Sequence, residues 1–257
     1  MQVGMVARQD LFVVSKVWND RHGRGDVLLS CARTLKDLRL DYLDLYLVHW
    51  PYRNFHPVGA PPDFHDASAR PYIHERYMET WFQMERLQKA GLVRQIGTSN
   101  MTVRKLEMLL RDCTIMPAAN EMELHPTFQQ PELFAFCQKH GIQPIGYCPL
   151  GSPSRPERDR TTGDIVDMDD PVVRRIAATH DVHPAAICLK WAVQRGQIPI
   201  PFAVKPEQLA ANLQAVAGDP LTESEMGDLA GVDQNCRLIK GQVFLWDGAR
   251  DWTELWD

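Results

Sequence analysis

The chain is poor in the signals that usually announce a function. Its six cysteines, Cys31, Cys113, Cys137, Cys148, Cys188 and Cys236, are scattered, and no two form a C-x-x-C pair. They read as reduced core cysteines of a cytoplasmic protein. No apolar run approaches the roughly 20 residues needed to cross a bilayer, so no membrane partner is expected. The opening MQVGMVARQD lacks the apolar core of a signal peptide. A formal charge of −5 and no dense Lys/Arg run argue against nucleic acid. No two histidines form an H-x-H pair, which disfavours a metal-dependent barrel hydrolase, and no metal site is expected. Gly23-Arg24-Gly25 runs on into Asp26, Val27 and Leu28, so it is no dinucleotide fingerprint. Neither a P-loop nor a G-x-S-x-G elbow occurs.

What is present is LDYLDLYLVHWP at 40–51. The run Leu43 to Val48 is apolar except for Asp44, the pattern of a strand buried on both faces of a parallel sheet. Pro51 cannot donate to a ladder, so the strand stops there and His49 stands at its carboxyl end. In α/β sheets that end carries ligands and chemistry, although a packed histidine fits equally well from this strand alone.

Strand and helix patterns alternate along the chain. Strands are predicted at 11–15, 43–48, 93–97, 117–124, 142–148 and, interrupted by two prolines, 198–204. Helices are predicted at 26–38, 77–91, 102–110, 131–140, 171–180, 184–195, 206–216 and 222–231. The segments 51–75 and 153–170 read as loops, and the tail from 234 is aromatic and irregular. Such alternation predicts a parallel sheet with helical crossovers. Polar residues cluster at strand ends, the layout of a barrel active site. The strands number six, two short of a closed (β/α)8 barrel. The pair Glu121 and Glu123 shares one strand face and cannot flank a glycosidic bond from opposite sides.

The stretches LFVVSKVW, LDYLDLYLVHWP, GLVRQIGTSN, PAANEMELHP, GYCPLGSP and PEQLAANL, in this order, resemble the aldo-keto reductase family. The resemblance implies one (β/α)8 barrel domain over 1–257, lacking its first two strand–helix units. It implies reduction of an aldehyde or sugar-like carbonyl with NADP or NAD as cofactor. By motif, Lys16 and His49 are the catalytic lysine and histidine. Ser99, Asn100, Glu121, Tyr147, Leu150, Ser152, Lys205, Gln208 and Asn212 match cofactor-binding positions, with Tyr147 as the ring stacked on the nicotinamide. Trp18, Trp50 and Trp246 match pocket walls, and the aromatic tail suggests a lid. The partner is a small carbonyl compound. Complete members of the family are monomers, whereas this chain is expected to self-associate through Leu11–Ser15.

Three departures bear on activity. The family's tetrad aspartate and tyrosine belong before LFVVSK, and residues 1–10 hold no tyrosine. This chain is therefore expected to be weakly active or inactive, with a non-catalytic nucleotide-binding or regulatory subunit as the rival reading. Glu121 stands where glutamine is usual; an ionised carboxylate accepts hydrogen bonds but cannot donate. Phe202, Ala203 and Gln208 replace the groups that usually grip the adenosine 2'-phosphate, so NADH becomes a credible cofactor.

Overall fold

A computed structural model of the chain describes residues 6–55, 61, 64–152, 155, 157 and 160–257. Parts of the two predicted loops, at 56–60, 62–63, 153–154, 156 and 158–159, lie outside the described residues. The chain divides into two compact units: Met1–Asn120 with Gly241–Asp257, and Glu121–Lys240. Among the described residues six strands follow one another in chain order.

The first unit contains β1 (Val14–Val17), α1 (Asp26–Leu38), β2 (Leu43–Val48), α2 (His74–Lys89), β3 (Val93–Ser99), α3 (Val103–Asp112) and the start of β4 (Ala119–Glu123). β1 pairs with β2 and β2 with β3, both in parallel. β2 has the predicted bounds, and Leu43, Leu45, Leu47 and Val48 are almost wholly buried. Each such side chain contributes roughly 1.5–3 kcal/mol by leaving water. Asp44 is the polar exception, and it is used: its carboxylate accepts from the Val13 N–H at 2.8 Å and from Arg8 at 2.7 Å. β1 begins at Val14 rather than Leu11, and Lys16 stands inside it, opposite Leu47.

α1 buries Val27, Cys31 and Leu35, one stripe at four-residue spacing. α2 starts at His74, three residues before the predicted start, and buries Trp81, Met84 and Leu87. Thr102 caps α3 through the Lys105 N–H, as its sequence position suggests. Gly97 permits close strand packing: a Cβ there would meet Leu47 Cδ2 at 2.6 Å and the Ala119 carbonyl at 2.7 Å.

The aromatic tail is a packed arm rather than a lid. Phe244 and Leu255 are buried, Tyr52 Oη donates to the Leu255 carbonyl at 2.5 Å, and Lys105 Nζ donates to the Leu255 and Asp257 carbonyls at 3.0 and 2.6 Å.

The second unit holds the rest of β4, then α4 (Pro131–Lys139), β5 (Gln143–Tyr147), α5 (Pro171–Thr179), α6 (Pro184–Gln194), β6 (Ile198–Pro199), α7 (Pro206–Ala217) and α8 (Glu223–Ala230). β6 is only two residues long, pairing in parallel with Ile145 and Gly146. The expected strand to Val204 is cut short because Pro199 and Pro201 offer no ladder N–H. Val173, Ile176, Ile187, Trp191, Leu221 and Leu229 form the helical core. α8 opens with a capping box between Thr222 and Glu225. Of the six cysteines, Cys31, Cys137 and Cys188 are buried and all are thiols.

Candidate active site

In the first unit the ends of β1, β2 and β3 bring together five of the residues that the motifs single out. His49 follows β2 directly, and its N–H donates to the Val17 carbonyl at 3.3 Å. The Trp18 ring lies 4.9 Å from its imidazole, centroid to centroid. Asn100 adopts a left-handed backbone, φ 59°, a conformation asparagine tolerates better than most residues. It thereby aims Nδ2 at the His49 carbonyl, 2.9 Å away, and at Ser99 Oγ, 3.2 Å away. Ser99 and Asn100 are both buried.

Burial and the Lys16 ammonium push the His49 pKa down to about 4. Its Nδ1 is buried with no hydrogen-bond partner among the described residues. At neutral pH the ring is therefore an uncharged imidazole beside a cation, able to donate a hydrogen bond to an oxygen that gains negative charge.

The other two predicted wall residues are placed differently. Trp50 is buried under the tail, 4.5 Å from Phe244 and 5.5 Å from Trp256 by ring centroids. Trp246 lines a cavity with Tyr52, Tyr72 and Lys105. Of the three predicted wall residues, Trp18 is the one whose ring packs beside His49, and it is 46% exposed.

In the second unit a cavity of about 420 Å3 is lined by Leu150, Met168, His183, Phe202, Gln208 and Asn212, among others. Three predicted cofactor residues, Leu150, Gln208 and Asn212, thus share one wall system. Apolar and aromatic sides with two amides suit a planar heterocycle. Lys205 is the N-cap of α7, exposed, and is not part of that lining. Ser152 follows Gly151, with φ 41° and 74°, in the turn after β5. Tyr147 ends β5, where its carbonyl accepts from the Leu124 N–H at 3.3 Å; burial raises its phenol well above the ordinary value. Glu121 lies buried within β4.

Sequence reasoning missed one buried cluster. His125 Nε2 is 3.0 Å from Glu123, and Nδ1 is 3.0 Å from Asp167. All three side chains are fully buried. Glu123 also accepts from the N–H groups of Leu238 and Ile239 at 2.7 and 2.9 Å, and Asp167 from Thr127 N–H at 2.8 Å. Burial alone would lower the His125 pKa, but hydrogen bonds to Asp167 and Glu123 raise it to about 9. Both ring nitrogens are engaged. Glu123 is thereby committed to this cluster and is not available to act with Glu121 as a carboxylate pair. The signal in the sequence was the alternation Glu121, Glu123, His125; Asp167, in a polar loop, gave none.

The comparisons agree with these motifs. The model of the aldo/keto reductase family matches residues 2–234. Aldo/keto reductase slr0942 of Synechocystis is 39% identical over 255 residues, covering 99% of this chain and 77% of that protein. Aldo-keto reductase family 1 member A1 of Sus scrofa is 39% identical over 245 residues, covering 95% and 74%. A Bombyx mori aldo-keto reductase in complex with NADP is similar in structure, with TM-score 0.77 and 34% identity over 92% of this chain and 72% of that one. A family model matched over residues 2–234 and relatives 39% identical over most of both chains show that the chain belongs to the aldo-keto reductases, NAD(P)H-dependent oxidoreductases of the (β/α)8 barrel fold.

Proposed function

We propose that this chain is a single aldo-keto reductase domain of the cytoplasm that binds NADP or NAD and receives an aldehyde or sugar-like carbonyl at His49. The observation that carries this reading is the neutral His49 imidazole beside Lys16, tethered through its carbonyl to Asn100. His49 would donate a hydrogen bond to the carbonyl oxygen, and the Lys16 charge would stabilise the alkoxide as it forms. Trp18 would cover the substrate. Ser99, Asn100 and Glu121 would hold the carboxamide and Tyr147 the nicotinamide ring, while Leu150, Ser152, Gln208 and Asn212 would hold the adenosine half. The bound nicotinamide supplies the hydride.

The buried tyrosines are poor proton donors. Burial raises the phenols of Tyr46, Tyr52, Tyr72, Tyr77 and Tyr147, the opposite of what a donor working near neutral pH requires. These 257 residues are therefore proposed to bind cofactor but to reduce carbonyls slowly. Phe202, 87% exposed, and Gln208 offer no charge to a 2'-phosphate. Each charge-assisted bond forgone weakens NADPH by roughly 1.5–3 kcal/mol, so NADH should be nearly as good a ligand. Exposed Leu11, Phe12 and Val14 support self-association at the first strand.

The test is cofactor fluorescence titration together with oxidation of NADPH or NADH by a reactive aldehyde, run beside the Sus scrofa relative. The expected result is saturable binding of both cofactors, with turnover about 10²–10⁴-fold below the relative. Absence of cofactor binding would sink the reading. Turnover equal to the relative would remove the slow-catalysis part of it. Binding without any turnover, whatever the aldehyde, would favour the nucleotide-binding subunit.

A further inference from the structure

A second cavity of the first unit, about 300 Å3, lies between the segment after β2 and the start of α2. Its walls include His22, Arg53, Arg70, Arg76 and Tyr77, and no aspartate or glutamate is among its described lining residues. Arg53 donates to the His22 carbonyl at 2.9 Å and Arg70 to the Ala69 carbonyl at 2.7 Å. The three arginines are exposed and stand around one hollow whose described lining carries no carboxylate, a local excess of positive charge that favours an anion.

The floor gives an independent indication. Tyr77 and His22 are only 3% and 2% exposed, yet Tyr77 Oη and His22 Nε2 have no hydrogen-bond partner among the described residues. Buried polar atoms are nearly always paired, so two unpaired ones on residues that line one cavity are open to a polar guest once their side chains turn to meet it. The phenol can donate to an anionic oxygen. Burial and the Arg53 charge hold His22 uncharged, its pKa down to about 3, so its ring too can donate one N–H.

We infer that this cavity is a binding site for a small anion bearing a phosphate or carboxylate group, gripped by Arg53, Arg70 and Arg76 and completed by the Tyr77 hydroxyl. Planar guanidinium groups match both oxyanions in bidentate fashion. The volume suits a compact ligand rather than a dinucleotide. The site is distinct from the residues assigned to the cofactor. It shares the segment that begins at Pro51, two residues after His49, so an occupant would stiffen the wall next to the candidate histidine.

Isothermal titration calorimetry on the full chain tests this, with inorganic phosphate and malonate as separate ligands and sodium chloride at matched ionic strength as the blank. Saturable binding of one or both is expected, and whichever binds tighter identifies the group preferred. The Arg70→Gln/Arg76→Gln double variant should bind at least tenfold more weakly. Tyr77→Phe, which removes an unpaired buried hydroxyl and should fold normally, should bind several-fold more weakly. Arg33→Gln, at an exposed position on α1, should match the parent. Cofactor titration should be unchanged in all of them, which separates this site from the cofactor reading. No saturable heat with either anion, or parental affinity in both the double variant and Tyr77→Phe, would overturn the inference.

Discussion

His49 and His125 stand at comparable places, just beyond a buried strand of the sheet, and they are electrostatic opposites. His49, after β2, faces the Lys16 ammonium and is held neutral, with a pKa of about 4. His125, two residues after β4, lies between two carboxylates and is held charged, with a pKa of about 9. Burial disfavours the imidazolium at both sites; the sign of the neighbours decides the outcome. A strand-end histidine is thus no site by itself. One is a hydrogen-bond donor poised for chemistry, the other the centre of a buried ionic clasp joining β4, the Asp167 turn and the Leu238–Ile239 segment.

Removing one carboxylate breaks the comparison most strongly. Glu123→Ala leaves the His125 charge with one partner and two backbone N–H groups unpaired. It should cost about 3–5 kcal/mol of stability, read from the urea midpoint at pH 7. A loss below 1 kcal/mol would show that the clasp is not ionic.

The pH dependence of stability sharpens the same contrast. The folded pKa of His125 lies above its unfolded value of 6.5, so its contribution is complete below pH 6.5 and fades as pH rises towards 9. Its size is on the order of 3 kcal/mol. The folded pKa values of His49 and His22, about 4 and about 3, lie below 6.5. The unfolded chain therefore takes up protons first, and stability falls as pH drops from 6.5 towards 4. His125→Gln should flatten the alkaline limb of a urea-midpoint profile, and His22→Gln the acid limb. Unchanged limbs in these variants would assign the profile to other groups.

Two smaller effects follow. Lys16→Met removes the cation beside His49 and should let the imidazole pKa rise while leaving His125 unmoved, as followed by proton NMR. Thr222→Ala removes the α8 capping box and should cost about 1 kcal/mol without shifting either histidine. A shift at His125 in that variant would mean that the clasp depends on the helical core rather than on its own carboxylates.

The contrast also shows what a reader of the sequence can and cannot see. β2 was legible to the residue because an apolar run ending in His-Trp-Pro admits little else. The helix starts at Thr102, Pro131, Pro171 and Pro206 were legible from cap chemistry. β1 starts three residues later than its apolar run, just past Val13, whose N–H donates to the Asp44 carboxylate in a long-range bond that no local pattern encodes. The start of α2 follows a proline-rich loop whose spacing hides it. At the site, residue types and order pointed to His49, Ser99 and Asn100, but the hydrogen bond from Asn100 to the His49 carbonyl depends on a left-handed backbone. The clasp stayed hidden because Asp167 lies 42 residues from His125 in sequence. The motifs place Trp50 and Trp246 in pocket walls; the packing of the tail on Tyr52 and Lys105 determines where both rings lie.

The most direct test of the account is the protonation state of the two rings in one sample. Nitrogen-15 NMR of histidine-labelled protein at pH 7 should show His49 as a neutral imidazole and His125 as an imidazolium, with His49 unprotonated down to about pH 5 and His125 protonated up to about pH 8. Both rings titrating together near 6.5, or His49 charged at pH 7, would contradict it, and would remove the neutral hydrogen-bond donor on which the proposed chemistry rests.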